Sequence, residues 1–373
     1  MKRRNFIEYA ATGAVGATAL GACRSEKSPS TTAVALDLPV IQWRMATSWP
    51  KSLQILYESA DLLCRQVSKM TDGRFAITPY PAGELADGLK VLDAVADGTV
   101  ECGHSASYYY LDRGPALAFG TTIPFGLTAI QQNAWLYYGG GLETMRKLYA
   151  DLDLGVINFP GGNTGAQMGG WFKREVNAIE DFQGLKMRVP GLGGQILERL
   201  GAEIQVLAGD KIFEALEKGL IDAAEWKNPH ADEMLGLNRV APLYYYPGWW
   251  EPGTSYEFQV NLNQWQQLPK EYQDIFQAAA TDVNAKMLAK FNAVNGQVLE
   301  NMVLGGTTLL PFSQEILKAT YQTAFEFYEE IASQDTTFKN IYEPWKVFRD
   351  RIYGWNKLNE LSFANFAIDL TNS

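Results

Sequence analysis

The sequence predicts an α/β protein with mostly parallel sheets, and three observations point there. From residue 40 to residue 103 the chain reads strand, helix, strand, helix, strand, the order of a parallel sheet with crossover helices. At 373 residues it is long enough for two cores and too long for one ordinary one. Third, residues 220–229, LIDAAEWKNP, form an apolar strand-like run that ends in a carboxylate, Glu225, and is stopped by Pro229. Ligands of open α/β sheets sit just beyond the carboxyl ends of strands, and a carboxylate among apolar neighbours needs a cation or several donors.

The first strand covers residues 40–47, and a helix follows over 53–70 with Leu56, Leu63, Val67 and Met70 on its apolar face and a stop at Asp72-Gly73. Residues 74–80 alternate as a second strand, 89–96 form a helix and 99–103 a third strand. Tyr108-Tyr109-Tyr110 then stand where crevice residues belong, either as a buried aromatic patch or as ligand contacts. A helix over 129–148 and a strand over 155–159 precede Pro160-Gly161-Gly162-Asn163-Thr164-Gly165, which should break regular structure as a hinge or a close backbone approach. Extended chain resumes at 167–172. Residues 179–191 read as a helical turn, a glycine, and a strand whose exit carries Arg188 before Pro190. An amphipathic helix over 209–219 closes at Gly219 and leads into the Glu225 stretch. A strand over 256–262 returns towards the first half, and long helices cover 271–303 and 314–333. Residues 342–370 carry so many exposed-facing aromatics that they must pack on their own body or on a second subunit.

Composition narrows the function. With 47% hydrophobic and 20% charged residues the chain is globular, and its net charge of −10 argues against nucleic acid or an anionic membrane surface as partner. Eighteen Tyr and ten Trp favour walls around a small organic ligand. Cys64 and Cys102 leave two readings, a disulfide or two buried thiols, and two histidines nearly exclude a His-based zinc site. No P-loop, nucleophile elbow or dinucleotide fingerprint is present; Gly191-Leu192-Gly193-Gly194 lacks the spacing.

The first residues are a targeting segment. Lys2-Arg3-Arg4-Asn5-Phe6-Ile7 resembles a twin-arginine export signal, followed by an Ala/Gly-rich run and by Leu20-Gly21-Ala22-Cys23, which resembles a lipobox. Residues 1–23 are therefore expected as a signal peptide and 24–40 as a flexible tether, with Cys23 as the acylation site. No later stretch is apolar for long enough to span a bilayer.

A family resemblance runs through the remainder. DFQGLKMRVPG at 181–191 resembles the signature of substrate-binding proteins of tripartite ATP-independent periplasmic (TRAP) transporters. LKVLDAVADG at 89–98, FEALEKGLIDA at 213–223, WWEPG at 249–253 and the stretch 261–269 agree with it. The resemblance implies a two-lobed periplasmic-binding-protein-like fold that closes on a small carboxylate and delivers it to membrane permease subunits. Domain I would comprise 41–160 and 254–285, domain II 161–253 and 286–341, with the 271–303 helix spanning both and 342–373 as a C-terminal dimerisation tail.

In that family an arginine at the position of Arg188 pairs with the ligand carboxylate, a match that the planar guanidinium supports physically. The alternative is that Arg188 pairs with a structural Asp or Glu. Where many relatives show Gly-Gln, this chain has Glu225-Trp226, which resembles a subgroup that binds 2-oxo or 2-hydroxy acids with a metal ion. By that resemblance Gln167, Glu225, the Trp226 carbonyl and Glu251 hold Na⁺ or Ca²⁺, an all-oxygen set. Arg188, Gln167, Tyr109, Trp226 and Asn228 would contact the organic acid. The alternative for Glu225 and Glu251 is pairing with Lys or Arg side chains. The expected function is capture of a pyruvate-like 2-oxo monocarboxylate by a homodimeric, non-enzymatic periplasmic protein. Lactate, a dicarboxylate or an amino acid remain alternative ligands, and a carboxylate-based hydrolase using Glu225 and Glu251 is the more remote alternative.

Overall fold

The structure, a computed structural model, describes residues 38–371; the export signal, Cys23 and nearly all of the 24–40 tether lie outside the described residues. Eleven strands occur among the described residues: β1 (Ile41–Thr47), β2 (Phe75–Tyr80), β3 (Cys102–Ser105), β4 (Val156–Asn163), β5 (Trp171–Phe172), β6 (Lys186–Arg188), β7 (Glu203–Gln205), β8 (Ala223–Ala224), β9 (Leu243–Tyr246), β10 (Ser255–Asn261) and β11 (Thr308–Pro311). They form two sheets, ordered β2-β1-β3-β10-β4 and β11-β9-β5-β8-β6-β7.

The expected parallel start is present: β1 pairs in parallel with β2 and with β3, through the crossover helices Gln54–Met70 and Val91–Ala96. Leu56, Leu63 and Val67 are buried as their spacing requires, whereas Met70, in the last position of its helix, is exposed. Both sheets are nevertheless mixed, because β10 returns antiparallel between β3 and β4, and β5 antiparallel between β8 and β9. The proline-free helix Lys270–Leu304 packs on β4 and on Gln54–Met70 at one end of its course and on the helix Pro229–Leu235 of the second sheet at another.

Two expectations about local structure are corrected, and one left open is decided. The single helix expected over 129–148 is two, Ala129–Tyr138 and Gly141–Asp151, parted where Gly140 turns left-handed at φ +80°. The glycine-rich stretch 160–165 is not a break at its start: β4 continues to Asn163. Gly162 (φ +151°) lies so close to the Met287 side chain that a Cβ would collide with it, so its lack of a side chain lets the long helix settle on the sheet. Cys64 and Cys102 are free buried thiols, and burial pushes both pKa values up.

The C-terminal apolar residues differ sharply in burial. In the helix Thr336–Asn356, Phe338, Ile341, Tyr342 and Trp345 are buried on the body, where Phe338 and Trp345 flank Phe119 at centroid distances of 5.2 and 5.4 Å. Beyond them Trp355, Leu358, Phe363 and Phe366 are 63–75% exposed.

His104 in β3 is buried between the Trp49 indole, which donates to Nδ1 at 2.9 Å, and the Gly161 carbonyl, which lies 3.1 Å from Nε2. That pairing fixes the neutral tautomer protonated on Nε2, and burial lowers the pKa from 6.5 to about 3. Its share of stability is complete above the ordinary value of 6.5 and is lost as pH falls towards about 3. In NMR spectra the His104 ring should keep neutral-imidazole shifts from about pH 8 to about pH 4.5; titration near the ordinary histidine value would refute this placement.

Candidate functional site

Two short parallel strands build one wall. Arg188 ends β6 and stands in register with Ala224 of β8, and the next backbone N–H, of Glu225, donates to the Arg188 carbonyl at 2.9 Å. This places the two side chains together beyond the carboxyl ends of both strands. A Cβ on Gly170 (φ +83°) would stand 2.8 Å from the Ala224 carbonyl oxygen and 3.2 Å from Glu225 Cα, so the neighbouring chain closes over Glu225 only as glycine.

Arg188 is wholly buried. Its Nη1 donates to Glu225 Oε2 at 2.8 Å and to the Glu225 carbonyl at 3.0 Å, and Nε donates to the Leu207 carbonyl at 3.1 Å. The guanidinium also lies 4.9 Å from the Trp226 ring centroid. The alternative reading of Arg188, pairing with an acidic residue of the protein, is therefore present in the structure. It leaves Nη2 buried and without a partner.

The other wall is a chain of hydrogen bonds. Gln167 Nε2 donates to Thr254 Oγ1 at 2.7 Å, and that hydroxyl donates to Glu251 Oε2 at 2.6 Å. Lys227 Nζ, also buried, lies 3.6 Å from the same Glu251 oxygen and donates to the Tyr108 hydroxyl at 3.0 Å. Glu225 and Glu251 thus each face a protein cation. The alternative reading of the two carboxylates, pairing with Arg or Lys side chains, is present in the structure.

Asn228 donates from Nδ2 to the Thr164 carbonyl at 3.0 Å and precedes the helix Pro229–Leu235, which begins at Pro229 because the missing proline N–H is no loss there. One turn on, buried Asp232 accepts from the Lys227 N–H, the Trp171 indole and the Tyr244 hydroxyl at 2.9, 2.8 and 2.7 Å. These bonds lock the Glu225–Asn228 segment onto β5 and β9. Burial still pushes the Asp232 carboxyl up to about 6.

Arg188, Glu225, Trp226, Gln167, Glu251 and Asn228 are all buried, whereas Tyr109 is half-buried and packs edge-on against Tyr108 at 4.8 Å. Tyr109 and Tyr108 line a cavity of about 400 Å³ with Val189, Gly191 and Gln195, between elements of the two sheets. Sequence reasoning missed Lys227, Thr254 and Asp232. Lysine is seldom buried, so nothing marked Lys227 except its place directly after Glu225-Trp226.

The electrostatics are those of a dry, paired site. Burial raises the Glu225 pKa, and the nearby charge of Glu251 adds to it. Burial pulls Lys227 and Arg188 down, but the surrounding acidic groups together, led by Glu251 for Lys227 and by Glu225 for Arg188, outweigh it, so both pKa values rise. Several polar atoms here have no partner: the donors Arg188 Nη2 and Trp226 Nε1, and the acceptors Glu225 Oε1, Gln167 Oε1 and Asn228 Oδ1. Buried polar atoms are nearly always satisfied, so such a concentration marks a place for a ligand. The donors suit a carboxylate and the acceptor oxygens a hard cation. Among the described residues no three His, Cys, Asp or Glu side chains cluster as a metal centre.

The charge pairs and unpartnered polar atoms are buried, and Tyr108, which accepts from Lys227, also lines the cavity between the two layers; the arrangement is that of a protein that captures a small charged solute. Residues 45–335 match the family described as bacterial extracellular solute-binding protein, family 7 (DctP), and the chain belongs to that family. It is 54% identical to the monocarboxylate 2-oxoacid-binding periplasmic protein of Nostoc sp. over 98% of this chain and 99% of that relative. A TRAP transporter solute-binding protein from Bordetella bronchiseptica, a mixed-occupancy dimer with copurified calcium and picolinate, matches with a TM-score of 0.88 and 42% identity, over 90% of this chain and 99% of that one. Its counterpart from Colwellia psychrerythraea, with bound calcium and pyruvate, matches at 0.84 and 35%, over 87% and 98% of the two chains. A third, from Pseudoalteromonas atlantica with sodium and pyruvate, matches with the same values. No helix among the described residues is long and apolar enough to cross a membrane.

Replacing Arg188 by Met would leave Glu225 buried beside Glu251 without its direct counter-ion. Arg188→Met should lower the unfolding free energy by about 3–5 kcal/mol. Denaturant unfolding that gives wild-type stability would show that the pair is not as the geometry has it.

Proposed function

We propose that this chain captures a small 2-oxo monocarboxylate of the pyruvate type together with Na⁺ or Ca²⁺ in the periplasm, and delivers it to the membrane permease subunits of a TRAP transporter. The observation that carries this reading is the double set of unpartnered atoms around Arg188 and Glu225, donors for an acid and oxygens for a cation. Pyruvate and picolinate share one chemical feature, a carboxylate next to a carbon bearing a lone-pair atom. That feature forms a five-membered chelate with a hard cation, which favours a 2-oxo acid over a simple dicarboxylate. Gln167, Glu225, the Trp226 carbonyl and Glu251 would hold the cation, which supplies positive charge to the carboxylate and keto oxygens of the acid. Arg188 Nη2 and Trp226 Nε1 would bind the acid, with Asn228 beside them and Tyr109 at the mouth of the cleft.

In this reading residues 41–160 with 254–285, and 161–253 with 286–341, move as two lobes that close on the ligand. No chemical step is needed, and the carboxylates serve as ligands rather than as acid and base. Export would follow the twin-arginine-like signal, with Cys23 as lipid anchor. The exposed apolar residues from Trp355 to Ile368 would be covered by a second copy of the chain, giving a homodimer.

Two experiments test the reading. Pyruvate titrated into chelator-treated protein should bind about 5–150-fold more tightly once calcium or sodium is restored, and Glu225→Gln should abolish the gain. Equal affinity with and without cation would overturn the joint site. For the dimer, deleting residues 357–373 should give a monomer by light scattering with little loss of thermal stability, because Phe338, Tyr342 and Trp345 stay in place. Deletion from Glu343 onward should also destabilise the body by removing Trp345, whose burial is nearly complete.

A further inference from the structure

Four charged side chains lie buried around the unpartnered atoms, Arg188, Glu225, Lys227 and Glu251, and the formal charges of these four cancel; a fifth, Asp232, is buried one turn on, with both carboxylate oxygens already taken by the Lys227 N–H, Trp171 and Tyr244. The two cations are held in different ways. Arg188 is fixed by three hydrogen bonds to Leu207 and Glu225. Lys227 gives a hydrogen bond to the Tyr108 hydroxyl and stands 3.6 Å from Glu251 Oε2, beyond the roughly 2.7–2.9 Å of a charge-assisted hydrogen bond. Its Nζ lies instead among ring faces, 4.9 Å from Trp226, 5.6 Å from Tyr256 and 5.7 Å from Tyr108. Ring faces stabilise a buried ammonium without occupying carboxylate lone pairs. Glu251 is therefore balanced in charge while it keeps acceptor capacity for another cation.

We propose that Lys227 makes capture of the cation and of the organic acid mutually dependent, by bringing the four charged side chains around the unpartnered atoms to zero net charge. This deepens the reading of a joint metal and 2-oxo acid site and rests on it. In a dry site a cation alone leaves uncompensated positive charge, and a carboxylate alone leaves uncompensated negative charge. Sodium with a monoanion returns the site to zero. Calcium with a monoanion leaves one positive charge, where calcium alone would leave two. Without Lys227 these side chains would carry one net negative charge, and a cation would bind whether or not the acid is present.

The test compares wild type, Lys227→Gln and Lys227→Arg after chelator treatment. Gln keeps a hydrogen-bond donor beside Tyr108 and removes the charge; Arg keeps the charge. Calorimetry with calcium should show wild type gaining about 5–150-fold in affinity when pyruvate is saturating. Lys227→Gln should bind calcium alone about tenfold more tightly than wild type or better, and lose most of the gain from pyruvate. Its melting temperature should rise more in a given concentration of calcium alone than that of wild type does. Lys227→Arg should restore the dependence. A Lys227→Gln protein with wild-type calcium affinity and an undiminished pyruvate gain would overturn the proposal. A wild type without any gain would overturn the joint site itself, so the two failures are distinct. Should Lys227→Gln fail to fold, pyruvamide decides in wild type. The uncharged amide should give no gain in calcium affinity, and a gain equal to that from pyruvate would overturn the charge rule.

Discussion

The contact between Arg188 and Glu225 is the constraint around which the second sheet is arranged. Two charges removed from water lose several kcal/mol each of hydration, and only close geometry with further hydrogen bonds offsets that loss. The chain supplies this geometry through the backbone rather than through side-chain choice alone. β6 and β8 are only three and two residues long, yet their parallel pairing and the Glu225 N–H bond to the Arg188 carbonyl set the side chains side by side. The short strands then matter as a ruler. A slip of one residue in β8 would turn Glu225 to the opposite face and leave Arg188 among apolar neighbours.

The large aromatic content acquires a specific use against this constraint. Trp226 lies 4.9 Å from both the Arg188 guanidinium and the Lys227 ammonium, so one indole serves two buried cations. Arg188 is saturated on its Nε and Nη1 side and unpartnered at Nη2. The ring holds the guanidinium plane while that edge stays available. Trp171 and Tyr244, stacked at 3.9 Å, act one layer below: both donate to Asp232, which in turn holds the Lys227 backbone. Aromatic residues here carry both apolar packing and the hydrogen-bond donors that fix the segment's path.

Much of this was legible in the sequence, for physical reasons that differ from residue to residue. Arg188 before Pro190 and Glu225 before Pro229 could be read because charged residues at the exits of apolar runs are rare and proline marks the exit. The crossovers between β1, β2 and β3 followed from alternating periods. The antiparallel β10 and β5 were not legible as such, since pairing direction depends on where the chain returns and not on local pattern. The continuation of β4 through Pro160-Gly161-Gly162-Asn163 ran against local propensity; it rests on pairing with Ser255, Tyr256 and Glu257 of β10, far away in sequence, while Phe258 and Met287 leave no room for a Cβ at Gly161 and Gly162. Lys227 was invisible because its burial depends on Tyr108, Tyr256 and Glu251, which meet it only after folding.

That last dependence carries a consequence for how charge and shape are linked. Lys227 follows β8 of the second sheet, whereas Tyr108 follows β3 and Tyr256 lies in β10 of the first. The ammonium is thus solvated by groups from both layers, and moving one layer from the other strips it of part of that shell. Asn228 makes a similar crossing to the Thr164 carbonyl just beyond β4, but a neutral amide is readily satisfied by water once the layers part. A buried ammonium beside Glu251 is a different case, because opening changes its dielectric surroundings and so the strength of its pull on that carboxylate. In the proposed closure of the lobes, separating the layers would therefore also change the charge felt at Glu251.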